Sequence, residues 1–142
     1  MSNAEKLLYL ENSLSQQLIM FYLLGNTAFT IFCVVNMNVD FRLGIFVMVN
    51  IFLSLLAFLM AVRQKTYVLR WGYGGLGMAA FQLARLLWIP EELTGSLRIF
   101  LMVLLIASSI FAFAGSIICI KRSQERDKYI RDNHIDLALL QK

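Results

Sequence analysis

Three stretches of this chain carry no charged residue: 14–37, 43–62 and 99–120. A fourth, 71–89, carries one, Arg85. Each is close to the roughly 20 apolar residues that a helix needs to cross a hydrocarbon core of about 30 Å. Inside lipid an open strand would leave amide groups without partners, so these segments are expected to be helices. The links between them are short, which predicts that consecutive helices pack side by side as antiparallel hairpins. The pattern therefore predicts an all-α, polytopic membrane four-helix bundle over residues 1–120. A charged tail, 121–142, follows it.

Composition agrees with that pattern. Of 142 residues, 59% are hydrophobic and 15% charged. Soluble domains average about 45–50% apolar and 25% charged residues. The first apolar stretch is not read as a cleaved leader. It lacks a basic flank and a small-residue cleavage site, and Glu5 and Glu11 precede it.

The distribution of basic residues orients the spans. The N-terminal segment, the 63–70 link and the tail hold ten Lys and Arg residues, while the other two links hold only Arg42 and Arg98. The excess of cations marks the cytoplasmic side. Both termini are thus expected in the cytoplasm, with the chain in the plasma (inner) membrane. Pro90 marks the exit of the third span, and Ser96 is placed to cap the fourth.

The two halves show a weak correspondence. Gly25–Phe29 resembles Gly77–Phe81 in its glycine and Ala-Phe pair, and Ser54–Phe58 resembles Ser109–Phe113. The common order suggests two copies of one hairpin in the same orientation.

Small residues recur at four-residue spacing in the last two spans. Gly75 and Ala79, Ala80 and Ala84, and Ser108, Ala112 and Ser116 are so spaced. Faces of this kind let membrane helices approach closely. They are read as the packing contact between spans three and four.

Polar residues inside the spans are few. Asn26, Asn50, Ser108 and Ser109 lie near the middle of their spans and Gln82 in the outer half of its own, and together they predict a polar layer across the bundle. Arg85 stands five residues before Pro90, so about 7 Å below the outer boundary by helical rise. A cation at membrane depth costs about 3 kcal/mol or more. It is expected to snorkel outward or to pair with Asp40, Glu91 or Glu92. Contact with a partner subunit, a lipid or a solute is the other reading of Arg85, Gln82, Asn26 and Asn50.

Chemistry-bearing motifs are missing from the sequence. No Asp or Glu lies in a span, whereas proton and cation carriers commonly use one there. The lone histidine, His134, stands in the tail, and no Cys/His spacing suggests a metal. Cys33 and Cys119 fall near opposite ends of the bundle, too far apart for a disulfide. Cys119, beside Lys121 and Arg122, is a weak candidate for palmitoylation. No cofactor, catalytic residue or metal ligand is assigned, and no enzymatic activity is expected. The tail continues as a helix, with Tyr129, Ile130 and Leu137 as candidate docking residues. Its mixed charge does not suggest nucleic acid.

These observations lead to a non-catalytic accessory or scaffold subunit of a larger membrane complex, of transporter or respiratory type. Its expected partners are membrane lipids, other membrane subunits or further copies of itself. The alternative is a small homo-oligomeric transporter or channel with a polar path through Asn26, Asn50, Gln82 and Arg85.

Overall fold

The computed structural model describes residues 3–135. Among them are five α-helices, one 3-10 turn and no strand. The helices are α1 (Asn3–Tyr9), α2 (Ser13–Asn36), α3 (Phe41–Lys65), α4 (Leu69–Ala84) and α5 (Gly95–Asp132); the 3-10 turn is Arg85–Trp88. Three of them, α2, α3 and α5, are long and apolar enough to cross a membrane.

Local chemistry sets the boundaries. The Asp40 carboxylate accepts from the Leu43 amide at 2.8 Å and so caps the start of α3. Pro90 biases the residue before it away from helical geometry, and Ile89 is extended, with ψ of 126°. The chain tightens into the 3-10 turn just ahead of that bend. As a result α4 stops at Ala84, short of the continuous helix over 71–89 that hydropathy predicts. The start of α5 also differs from expectation. Thr94, not Ser96, occupies the cap position, without a side-chain bond. Gly95 enters the helix at φ of 64°, a conformation that glycine adopts without steric cost.

The centre of the molecule is the contact of α2 with α5. α3 packs on α2, α4 packs on α5, and α3 touches α4 more sparingly. The buried residues of α2 are Ser15, Ile19, Tyr22, Asn26, Phe29 and Cys33, a single stripe at helical spacing. Its other faces present large apolar side chains outward, among them Phe21, Leu24, Ile31 and Val35. α3 does the same with Met48, Phe52, Leu55 and Phe58. A surface this apolar suits lipid rather than water.

Two apolar clusters fill the interior. One joins Ile19 and Tyr22 of α2, Leu53, Ala57, Met60 and Ala61 of α3, Met78 and Ala79 of α4 and Ala112 of α5. The other joins Phe29 and Cys33 of α2, Ile89 and Leu93 after the 3-10 turn, and Leu101 and Leu105 of α5. Along every helix the polar residues of interest fall between these clusters.

Candidate functional site

Asn26, Asn50, Gln82, Arg85 and Ser108 come together in that gap. Asn26 lies between Tyr22 and Phe29 on the inner stripe of α2. Asn50 lies one turn before Leu53 on α3. Gln82 and Arg85 are three apart, hence on one face across the α4/3-10 junction. All five are buried, and Arg85 is only 8% exposed.

The guanidinium of Arg85 is surrounded by amide oxygens. Nη1 donates to Asn26 Oδ1 at 2.5 Å and to Gln82 Oε1 at 3.0 Å. Nη2 donates to Asn50 Oδ1 at 2.7 Å. The ring of Phe29 covers the cation, with its centroid 4.6 Å away. This cation–π contact strengthens where water is excluded. The amide nitrogens are bonded in turn. Asn26 Nδ2 donates to Ser54 Oγ at 3.2 Å, Asn50 Nδ2 to the Phe46 carbonyl at 2.8 Å, and Gln82 Nε2 to Ser108 Oγ at 2.9 Å. Ser108 Oγ donates in turn to the Leu105 carbonyl at 3.0 Å.

This arrangement corrects the expectation for Arg85. The side chain does not snorkel outward, and Asp40, Glu91 and Glu92 are not among its partners. It turns inward because Gln82, one turn earlier, and the two asparagines offer three carbonyl oxygens at bonding distance. Hydrogen bonds to a charged group are worth about 1.5–3 kcal/mol each, enough to offset the burial of one cation. The site therefore holds a buried positive charge bonded three times, each time to a neutral partner. Such a site can lock helix register, and it can attract an anion. It offers no nucleophile and no base within the cage.

A second polar layer lies at the end of the bundle where the basic residues collect. Ser15 Oγ donates to Gln64 Oε1 at 2.6 Å, with the Gly115 carbonyl at 2.7 Å. Gln64 Nε2 donates to the Trp71 carbonyl at 2.9 Å. Ser123 Oγ donates to the Tyr67 carbonyl at 3.1 Å, and Tyr67 donates its phenolic proton to the Leu10 carbonyl at 2.8 Å. Arg122 Nη1 donates to Asn12 Oδ1 at 2.9 Å, while Glu11 and Lys65 form an ion pair at 2.9 Å. Tyr67 is held at φ of 58°, rare for a bulky residue. Burial raises its phenol pKa above the ordinary 10, and Arg122 and Arg126 oppose that shift.

This layer was missed at the level of sequence. Gln64 stands between Arg63 and Lys65 and reads as part of a polar link. Its signal is periodicity, because Asn50, Ala57 and Gln64 are seven apart and form one buried stripe of α3.

The small residues divide. Gly75 and Ala79 are buried against α5, where a Cβ on Gly75 would collide with Ser116 Oγ and lie 2.8 Å from Gln64 Nε2. Ser109 Oγ donates to the Ala79 carbonyl at 2.8 Å, so backbone and side chain meet directly. Ser108, Ala112 and Ser116 are buried. Ala80 is exposed and Ala84 only half-buried, so that second stripe lies off the contact. Adjacent residues differ by about 100° around a helix, and both stripes cannot face α5.

Cys33 and Cys119 are free and completely buried. Cys119 lies against Ser123 and the Gln64 carbonyl rather than toward lipid, which leaves no room to acylate it. Tyr129 and Ile130 are half-buried on the last turns of α5. Leu137 lies outside the described residues. Of the two glycines paired in the suggested repeat, a Cβ at Gly25 would press on Ser108, while Gly77 faces open space.

No family model, curated protein or solved structure matches this chain.

Proposed function

We propose that this chain is a non-catalytic accessory or scaffold subunit of a larger membrane complex. In this reading it crosses the bilayer four times as two antiparallel hairpins, with both termini cytoplasmic. The observation that carries it is the sealed position of Arg85. The strongest polar group in the interior is spent on three amides of its own bundle, between two apolar clusters. A chain so built uses its polar residues to fix its own shape and leaves its outer faces for lipid and neighbours.

Support for the fourth crossing comes from α4 and the 3-10 turn taken together. Residues 69–88 form a continuous helical path of 16 plus 4 residues. At about 1.5 and 2.0 Å rise per residue they cover about 32 Å, the thickness of the hydrocarbon core. The hairpin reading is supported by pairings at the ends. Asn12, ahead of α2, bonds the carbonyl of Lys65, the last residue of α3, at 3.0 Å. Gly75 meets Ser116 while Gln82 meets Ser108, so α4 and α5 run in opposite senses.

The test is isolation of the tagged chain from its own membranes at native expression, in mild detergent. The expected result is a stoichiometric complex larger than the monomer on native mass spectrometry. A bare 16.3 kDa monomer under those conditions overturns the proposal.

One set of observations favours the second reading, a small transporter or channel for anions. The hydroxyls of Tyr22 and Ser116 are buried without partners. Tyr22 lies one turn before Asn26 on the inner stripe of α2, and Ser116 lies beside Gly75 and Gln64. A groove of about 410 Å³ between α2 and α3 also reaches Asn50 and Ser54 from the outside. Reconstituted liposomes separate the two readings. The scaffold reading expects no anion flux above empty vesicles, and flux that Arg85→Ala abolishes establishes the second.

A further inference from the structure

A cavity with charged and polar walls lies away from Arg85, at the basic end, under α1. Its volume is about 710 Å³, and Lys6, Leu10, Tyr67, Arg122 and Glu125 are among its walls. We propose that it binds the headgroup of a phospholipid carrying both a phosphate and a primary amine, a phosphoethanolamine. The proposal needs only that the basic end lies at the membrane surface. It holds whether the chain is a scaffold or a transporter.

The charges in the lining suggest a zwitterion rather than a simple anion. Lys6 and Arg122 are cations on the wall, and the side chain of Lys6 is exposed. Glu125 follows Arg122 on the same wall, and the carboxylate of Glu11 is already paired with Lys65. Two cations and one unshared carboxylate complement a phosphate and an ammonium. A purely anionic headgroup would meet repulsion from Glu125. A quaternary amine could not donate a hydrogen bond to it.

Two unsatisfied donors stand just behind the cavity wall, on residues next to those that line it. Asn12 is completely buried, yet its Nδ2 has no partner, while its Oδ1 is held by Arg122. It lies between Glu11 and Ser13, both of which line the cavity. The Nε of Arg126 is likewise buried and unpartnered, and its guanidinium carbon stands 5.6 Å from the centroid of the Tyr67 ring. Buried N–H groups without acceptors are rare, because each costs about 1–3 kcal/mol.

The lipid tails have a place to go. Leu7, Tyr9 and Leu10 give the cavity an apolar rim. One turn farther along α2 from Ser13, Gln17 opens a second groove of about 560 Å³ that continues past Met20, Phe21 and Leu24. Residues four apart share a helix face, so the groove lies on the same face of α2 as the headgroup pocket, toward the apolar zone.

The experiment is native mass spectrometry of the full chain released from nanodiscs of equal thirds phosphatidylethanolamine, phosphatidylglycerol and phosphatidylcholine. The expected result is one phosphatidylethanolamine retained per chain, at least tenfold over either competitor. Lys6→Gln should cut retention at least fivefold, and Glu125→Gln should abolish the preference over phosphatidylglycerol. Lys128→Gln, outside the cavity, should change neither. Lys6 is exposed, so its variant tests the pocket even if an Arg122 variant fails to fold. Equal retention of the three lipids, unchanged retention in Lys6→Gln, or stabilisation by inorganic phosphate equal to that by the lipid overturns the proposal.

Discussion

Arg85 is one cation held by three neutral oxygens, and the energetics of that cage are testable residue by residue. Removing a single acceptor leaves part of a buried guanidinium unbonded, which costs more than the same amide would on a neutral partner. Asn50→Leu should therefore lower unfolding stability by about 1.5–3 kcal/mol. Replacing the cation removes the reason for that cost. In an Arg85→Met background, Asn50→Leu should cost at least about 1 kcal/mol less, within the range found for contacting pairs. Unfolding in mixed micelles of native lipid and dodecyl sulfate measures all four corners of the cycle. Identical costs in both backgrounds would show that the bond from Nη2 to Asn50 Oδ1 contributes nothing.

At the scale of elements, the contact between α4 and α5 is made by backbone approach. Gly75 sits against Ser116 and Gln64 with no space for a side chain. Gly77, two residues on, has nothing within 4 Å of where a Cβ would stand. Gly75→Val should lower the thermal midpoint by at least 5 °C, whereas Gly77→Ala should be neutral or stabilise by up to about 1 kcal/mol through helix propensity. Thermal aggregation assays on the two purified variants check the contrast, and equal destabilisation would place the α4–α5 contact elsewhere. These neighbours also show what periodicity alone reveals. The long apolar runs announced α2, α3 and α5, because length and charge are local properties. Asn26, Asn50 and Gln82 were legible as a layer because an amide in an apolar run must find a partner. Arg85's direction was not legible, since depth is read from residue count but facing depends on three other helices. The choice between Ala79 and Ala80 was hidden for the same reason. Gln64 was hidden by its charged neighbours, although its heptad spacing from Asn50 marks it.

For the whole molecule, the number of crossings turns on α4, which at 16 residues is too short to span unaided. Gln82 and Arg85 bond at the same level as Asn26, Asn50 and Ser108, near the middle of α2, of α3 and of the apolar stretch 99–120 of α5. If those three helices cross the bilayer, the α4 residues that reach their middle are also at mid-depth. A helix that only skimmed one surface could not place Arg85 there. Three crossings and four make opposite predictions for the loops. With four, Asn38 and Glu92 face outward while Thr66 and Gln124 face the cytoplasm. With three, Glu92 would share the cytoplasm with Thr66, and Gln124 would lie outside. All four residues are exposed, so a cysteine at each is open to labelling. The two native thiols are buried and contribute no background. Membrane-impermeant maleimide added to intact cells should label Asn38→Cys and Glu92→Cys at once. Thr66→Cys and Gln124→Cys should react only after permeabilisation. Labelling of Gln124→Cys but not Glu92→Cys in intact cells would take α4 out of the membrane, and with it the depth of the Arg85 cage.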